Sequence, residues 1–129
     1  MKGLEIMLLA IGGMAGTFLR YRITESPLLI GTLQVNVLLV NVIGSFILGL
    51  FLILSQQWGL DSKYVVFASV GFCGSLTTMS SFALETTNLV DNKQYGMMAI
   101  NILANVGLSI GAIIGGRTLM SVILEGGLK

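Results

Sequence analysis

Apolar residues run along this chain in four long stretches separated by short polar connections. A helix that crosses a bilayer needs about 20 predominantly apolar residues. Four segments meet that length, from about Leu4 to Tyr21, Leu33 to Leu54, Tyr64 to Val90 and Tyr95 to Leu124. Between them lie Arg22 to Gly31 with the only proline, Ser55 to Lys63, and Asp91 to Gln94, which leaves no room for a soluble domain. The pattern predicts an all-α membrane protein, one four-span transmembrane domain over residues 1–129. Four spans enclose little pathway by themselves, so a homo-oligomer is expected. The first stretch is too long for a signal peptide, and Gly12, Gly13 and Gly16 suit packing rather than cleavage, so it reads as a retained span.

The third segment departs from the pattern. Within it, Gly71 and Gly74 lie three apart, and six hydroxyl or thiol side chains fall among the nine positions from Cys73 to Ser81. A lipid-facing helix has no use for that run. Irregular backbone survives in hydrocarbon only where protein buries it or a wet cavity lines it, because each unpaired N–H or C=O costs several kcal/mol. The segment therefore predicts a helix broken in mid-membrane near residues 74–77, with freed backbone groups available to an ion.

Composition narrows the chemistry. Hydrophobic residues make up 54% of the chain and charged ones 10%, against roughly 25% charged in a soluble domain. Seventeen glycines and one proline point to helices packed through small residues. The absence of histidine removes the usual metal ligand and neutral-pH proton carrier. A lone cysteine, Cys73, excludes an intrachain disulfide or a cysteine metal cluster. With no nucleophile–base pair or phosphate loop, the chain does not read as an enzyme, and a net charge of +1 gives no reason to expect nucleic acid. One membrane face would carry Lys2, Lys63, Arg117 and Lys129, the other Arg20, Arg22 and Lys93. The positive-inside rule barely decides between four and three. Either the count errs at helix ends, or the protein inserts both ways and pairs antiparallel.

Several polar side chains fall inside the spans, each with a structural and a functional reading. Gly12 and Gly16 form a small-xxx-small pair suited to close helix approach. Arg20 either snorkels to head groups or lines a cationic vestibule. Asn36 and Asn41, about 500° apart around a helix, face different ways, and each serves either interhelical bonding or a pore. Met79 and Phe82 share a face, as core or as pore lining, with Ser80 and Ser81 between them. Glu85 is either an intramembrane functional acid or a hydrated residue close to the surface. In the fourth span Asn101, Asn105 and Ser109 form one stripe and Gly107, Gly111 and Gly115 another. The expected arrangement turns Asn105 and Ser109 toward a pathway and the glycines against a neighbouring helix. Hydroxyls, amide N–H groups and aromatic edges suit a small anion, while freed carbonyls suit a cation.

These residues resemble the Fluc (CrcB) fluoride channels over nearly the whole chain. Gly12-Gly13 to Arg20-Tyr21 is similar to the family's first-helix motif, and Gly31-Thr32-Leu33 with Asn41-Val42-Ile43-Gly44-Ser45-Phe46 to its second. Gly71-Phe72-Cys73-Gly74-Ser75-Leu76-Thr77-Thr78 followed by Met79-Ser80-Ser81-Phe82 is similar to the third-helix signature and is the most specific match. The resemblance implies a multi-pass protein of a prokaryotic plasma or inner membrane. It implies an antiparallel, dual-topology homodimer with two pores that passively release fluoride from the cytoplasm. It implies a structural Na⁺ at the dimer centre on the backbone carbonyls of Gly74 and Thr77. It makes Asn41 the pore amide, Phe82 a pore aromatic and Ser109 the fourth-helix pore serine. Ser80, Ser81 and Glu85 fall on or near a polar track, and Arg20 borders the vestibule. Two features depart from the family. Met79 stands where a first pore phenylalanine is usual, offering a polarizable surface but no ring edge. The second helix also carries both Asn36 and Asn41, which leaves Asn36 a rival, and Asn41 is preferred as adjoining the closer match. The alternative class is a small proton-coupled multidrug-type exporter, but the first span offers only Glu5, at its very start, as the carboxylate such an exporter needs.

Overall fold

Each apolar stretch becomes a helical run in the computed structural model, which describes residues 2–127. Helix α1 covers Gly3–Thr24 and α2 covers Asn36–Trp58. The third run is composite. It starts as α3 (Ser62–Val65), continues as a π-helical stretch, Val66–Cys73, and ends as the short α4 (Gly74–Leu76). After two extended residues, Thr77 and Thr78, it resumes as α5 (Met79–Asp91). Helix α6, Tyr95–Gly127, is the longest. Four runs are thus long and apolar enough to span a membrane, and the third is broken within it. The protein is a multi-pass membrane protein.

The turns follow from local chemistry. Gly59 ends α2 in the left-handed region at φ 59°, a conformation that spares only glycine its steric cost. Asp61 then starts α3, its carboxylate accepting the Lys63 amide at 3.2 Å. The connection from α1 to α2 holds a hairpin that the polar–apolar pattern did not predict. Strand β1 (Leu29–Ile30) pairs antiparallel with β2 (Leu33–Gln34) across Gly31, at φ 64°, and Thr32. Leu33 and Gln34 therefore lie before the second helix rather than inside it. The Thr32 hydroxyl ties the hairpin to the α5–α6 turn by donating to Gln94 Oε1 at 2.7 Å.

Asn36 fixes this connection. Its Nδ2 donates to the carbonyls of Ile23 and Ser26, both at 2.8 Å, and its Oδ1 accepts the Leu28 amide at 2.7 Å. The residue is only 3% exposed, so none of these partners is readily replaced by water. Asn36→Ala is expected to lower unfolding free energy by about 2–3 kcal/mol, near 1 kcal/mol for each bond lost. Denaturant titration in detergent checks this; a loss below about 0.5 kcal/mol would exclude the pinning role.

Helices meet where side chains vanish. Gly12 and Gly16 of α1 are buried against the π-helical stretch, where a methyl group would strike the carbonyls of Phe67 and Phe72. Gly49 of α2 and Gly116 of α6 do the same for the second pair, facing the carbonyls of Ile113 and Phe46. The stripe Gly107, Gly111 and Gly115 was expected to pack on a neighbouring helix; a methyl group at any of them meets nothing within 4 Å in this chain. Gly116, one residue round the helix from that stripe, makes the close approach instead. Of the cations counted on the two faces, Lys129 lies outside the described residues.

Candidate functional site

The break at Thr77 and Thr78 exists because side chains replace the backbone partners of a continuous helix. Thr77 is extended at φ −82°, ψ 157° and Thr78 at φ −150°, ψ 122°. Thr78 caps α5, its hydroxyl oxygen accepting the Ser81 amide at 3.2 Å. The Thr78 amide donates to Asn41 Oδ1 of α2 at 2.8 Å. In an unbroken helix those two amides would return to the carbonyls of Thr77 and Gly74. Both carbonyls named in the sequence are thereby released from their helical partners. The break itself falls one residue later than the 74–77 interval suggests, since Gly74 is still helical at φ −64°, ψ −28°.

Opposite helix ends meet here. The run ending in α4 presents carbonyl oxygens and α5 presents amides, the two ends of the helix macrodipole. Arg20 Nε donates to the Ser75 carbonyl at 2.9 Å, setting a cation against the carbonyl end. That bond draws the Arg20 side chain toward the break. Gly44 of α2 lets the break come close, since a methyl group there would lie 2.5 Å from Thr77 Cγ2.

Beside the break lies a groove of about 420 Å³ whose walls are mostly apolar. Asn41, Gly74, Thr77, Met79, Phe82 and Ser109 all line it, so six of the ten residues marked by the resemblance converge on one space, with Asn105 beside them. The other four lie around it. Ser81 takes the Thr78 hydroxyl at 3.1 Å, and Ser80 is exposed, 3.4 Å from the same hydroxyl. Glu85 has a buried Oε1 with no hydrogen-bond partner among the described residues, and Arg20 sits across the break. Ser109 lines the groove, and its Oγ is likewise buried with no hydrogen-bond partner among the described residues. Met79 is 73% exposed on the groove's lip. Ser45, Ser69 and Cys73 also line the groove; Cys73 belongs to the hydroxyl and thiol run read from the sequence, whereas Ser45 and Ser69 on their apolar helices gave no signal for it.

A directional chain of carboxamides braces the wall. Asn41 Nδ2 donates to Asn105 Oδ1 at 2.9 Å, and Asn105 Nδ2 to Asn101 Oδ1 at 3.0 Å. Asn101 Nδ2 donates to Thr86 Oγ1 at 3.1 Å, whose hydroxyl reaches the Phe82 carbonyl at 2.7 Å. The chain runs from Asn41 on α2 through Asn105 and Asn101 on α6 to Thr86 and Phe82 on α5. It separates the two asparagines of α2. Asn36 is consumed by the hairpin connection, and Asn41 faces the groove. The stripe Asn101–Asn105–Ser109 was legible in the sequence, whereas the link to Thr86 depends on how α5 packs against α6.

Comparison with known proteins extends this geometry. The family model "CrcB-like protein, Camphor Resistance (CrcB)" matches residues 7–117. A protein of Nitrosopumilus maritimus named "Fluoride-specific ion channel FluC" is 66% identical over 125 residues, covering 97% of this chain and 99% of its own. Proteins of the same name from Methanococcus maripaludis and a Sulfurihydrogenibium species are 40% and 43% identical, covering 88% and 81% of this chain and 93% and 87% of their own.

Proposed function

The chain belongs to the CrcB-like family, and from that premise we propose that it is a fluoride-specific ion channel releasing F⁻ passively across the membrane. The relatives' names supply the ion. The observation that carries the mechanism is the groove at the amide end of α5, lined by neutral donors and a ring rather than by fixed charge. An anion entering it exchanges water for the unpartnered Ser109 hydroxyl, the edge of Phe82 and the helix-end amides. Asn41 takes part as a wall, because both of its amide hydrogens are already directed to Asn105 Oδ1 and the Thr78 carbonyl. Met79 offers a polarizable apolar lip, and Ser80, Ser81 and Glu85 continue the polar side of α5. Arg20 favours anion entry through its charge while holding the Ser75 carbonyl. The exporter alternative lapses, because relatives covering most of the chain are named channels.

The assembly we favour is an antiparallel homodimer. The near-even division of Lys and Arg supports it, as does the unoccupied glycine stripe of α6 beside the exposed Leu103 and Ile110. A structural Na⁺ fits the same frame. The released Gly74 and Thr77 carbonyls are neutral, hard oxygen donors of the kind that replace an alkali ion's hydration, and two copies would double their number. Bound there, the ion would supply a fixed positive charge holding the two breaks together. Purified protein in liposomes is expected to pass F⁻ electrogenically and to exclude Cl⁻, with a terminal cysteine tag labelled from both faces of the vesicles. Equal efflux of both anions rejects the channel reading, and labelling from one face alone rejects the antiparallel one.

A further inference from the structure

We propose that Asn41 is the positioning residue of the cation site: its Oδ1 keeps the Gly74 carbonyl open by taking the amide that would otherwise close on it. The inference rests on the cation reading given above. Thr78 N–H is the group that a continuous helix returns to Gly74, and it lies 2.8 Å from Asn41 Oδ1. Asn41 Nδ2 lies 3.3 Å from the carbonyl of the same Thr78. The carboxamide therefore pairs with both backbone groups of Thr78, as a neighbouring strand would, and holds it extended. Its orientation is not a free choice: an amide N–H can only donate and a carbonyl can only accept, so Thr78 dictates which end of Asn41 is oxygen.

The second hydrogen of Nδ2 locks the side chain from the far side through Asn105, itself oriented by Asn101. Gly44, three residues on from Asn41, leaves the space in which Thr77 sits. Without the acceptor, the Thr78 amide has Gly74's carbonyl as its nearest route back to helical pairing, and an amide left bare in an apolar wall is costly. One carboxamide thus lines the groove with one face and shapes the neighbouring cation site with its oxygen. A change made in the anion path at this residue reaches the cation.

The test is thermal unfolding of purified protein in detergent across a NaCl series, with N-methyl-D-glucamine chloride holding ionic strength constant. For the wild type, Tm is expected to rise with Na⁺ to saturation. Asn41→Ala is expected to raise the half-saturating Na⁺ concentration at least tenfold. Asn41→Asp keeps the acceptor oxygen but loses both Nδ2 donor bonds, and is expected to saturate within about threefold of the wild-type concentration. Asn36→Ala, which also loses carboxamide bonds but to the α1–α2 connection rather than the break, is expected to lower Tm with half-saturation unchanged. Wild-type half-saturation in Asn41→Ala overturns the proposal. So does an Asn41→Asp midpoint raised tenfold, a result that decides the matter even if the alanine variant does not fold. A wild-type Tm indifferent to Na⁺ removes the cation reading itself, and this inference with it, while the F⁻ efflux experiment stands apart.

Discussion

Gly116→Val is expected to cost about 3 kcal/mol or more of unfolding free energy, enough to prevent recovery of folded protein from a marginal background. The cause is backbone against backbone. A side chain at Gly116 would drive into the Phe46 carbonyl and the Leu50 amide of α2, and the reciprocal position, Gly49, faces the Ile113 carbonyl. A flexible neighbour could swing aside, but a helix carbonyl cannot. The helices would have to part, and in lipid the apolar surface released gains nothing from solvent, since helix association there depends on close packing itself. Separation of even 0.5–1 Å forfeits roughly a quarter to a half of each dispersion contact along the seam. Gly96 provides the control: a methyl group there meets nothing within 4 Å, and Gly96→Ala is expected to stay within about 0.5 kcal/mol of wild type. Denaturant titration in detergent distinguishes the two. A Gly116→Val variant as stable as Gly96→Ala would mean that α2 and α6 are not held by this approach.

The same pair shows where sequence reading reaches its limit. Hydropathy alone located the four spans, because length and apolarity are set by the bilayer. The run of hydroxyls and glycines from Gly71 to Ser81 announced the break, because no other use of those residues suits hydrocarbon. Phase was harder. Gly107, Gly111 and Gly115 form the more regular stripe, yet Gly116 is the residue that touches α2, and periodicity cannot say which of two adjacent glycine faces has a partner within the chain. The π-helical stretch Val66–Cys73 is equally silent, since widening the backbone ring by one residue leaves no mark on a mostly apolar segment. The hairpin was hidden because Leu28, Leu29 and Ile30, apolar and exposed, fell in a stretch read only as a connection, while its second strand was counted into the span from Leu33. Asn36 and Asn41 could not be ranked by spacing, as the partners that consume Asn36, Ile23, Ser26 and Leu28, come together only through the folded connection. The candidate site was legible mainly through its resemblance to a known signature; the geometry adds the carboxamide chain that joins its parts.

That chain makes Asn105 a sensitive polar position. Asn105→Leu is expected to cut F⁻ efflux at least tenfold and to lower unfolding free energy by about 2–4 kcal/mol. Leucine matches the branched shape and is no smaller, so no cavity forms, and the main cost comes from unpaired groups. Asn105 is 5% exposed and accepts from Asn41 while donating to both the side chain and the carbonyl of Asn101. Its loss strands an Asn41 N–H and the Asn101 Oδ1 at about 1–3 kcal/mol for each buried group left unsatisfied. The effect on efflux follows by two routes. Freed from α6, the Asn41 carboxamide no longer holds Thr78 in one geometry, and the groove's amide end loses its shape. Asn101, freed from Asn105, orients Thr86 less firmly and so relaxes the turn of α5 that presents Phe82. Because both routes run through one network, Asn41→Ala and Asn105→Leu should be less than additive, coupled by about 0.5–3 kcal/mol in a double-mutant cycle. Asn36→Ala, with a comparable loss of stability, should leave efflux near wild type, which separates a channel defect from general weakening. Efflux by Asn105→Leu within twofold of wild type would show that the carboxamide chain is scaffolding alone, and that the groove keeps its shape without it.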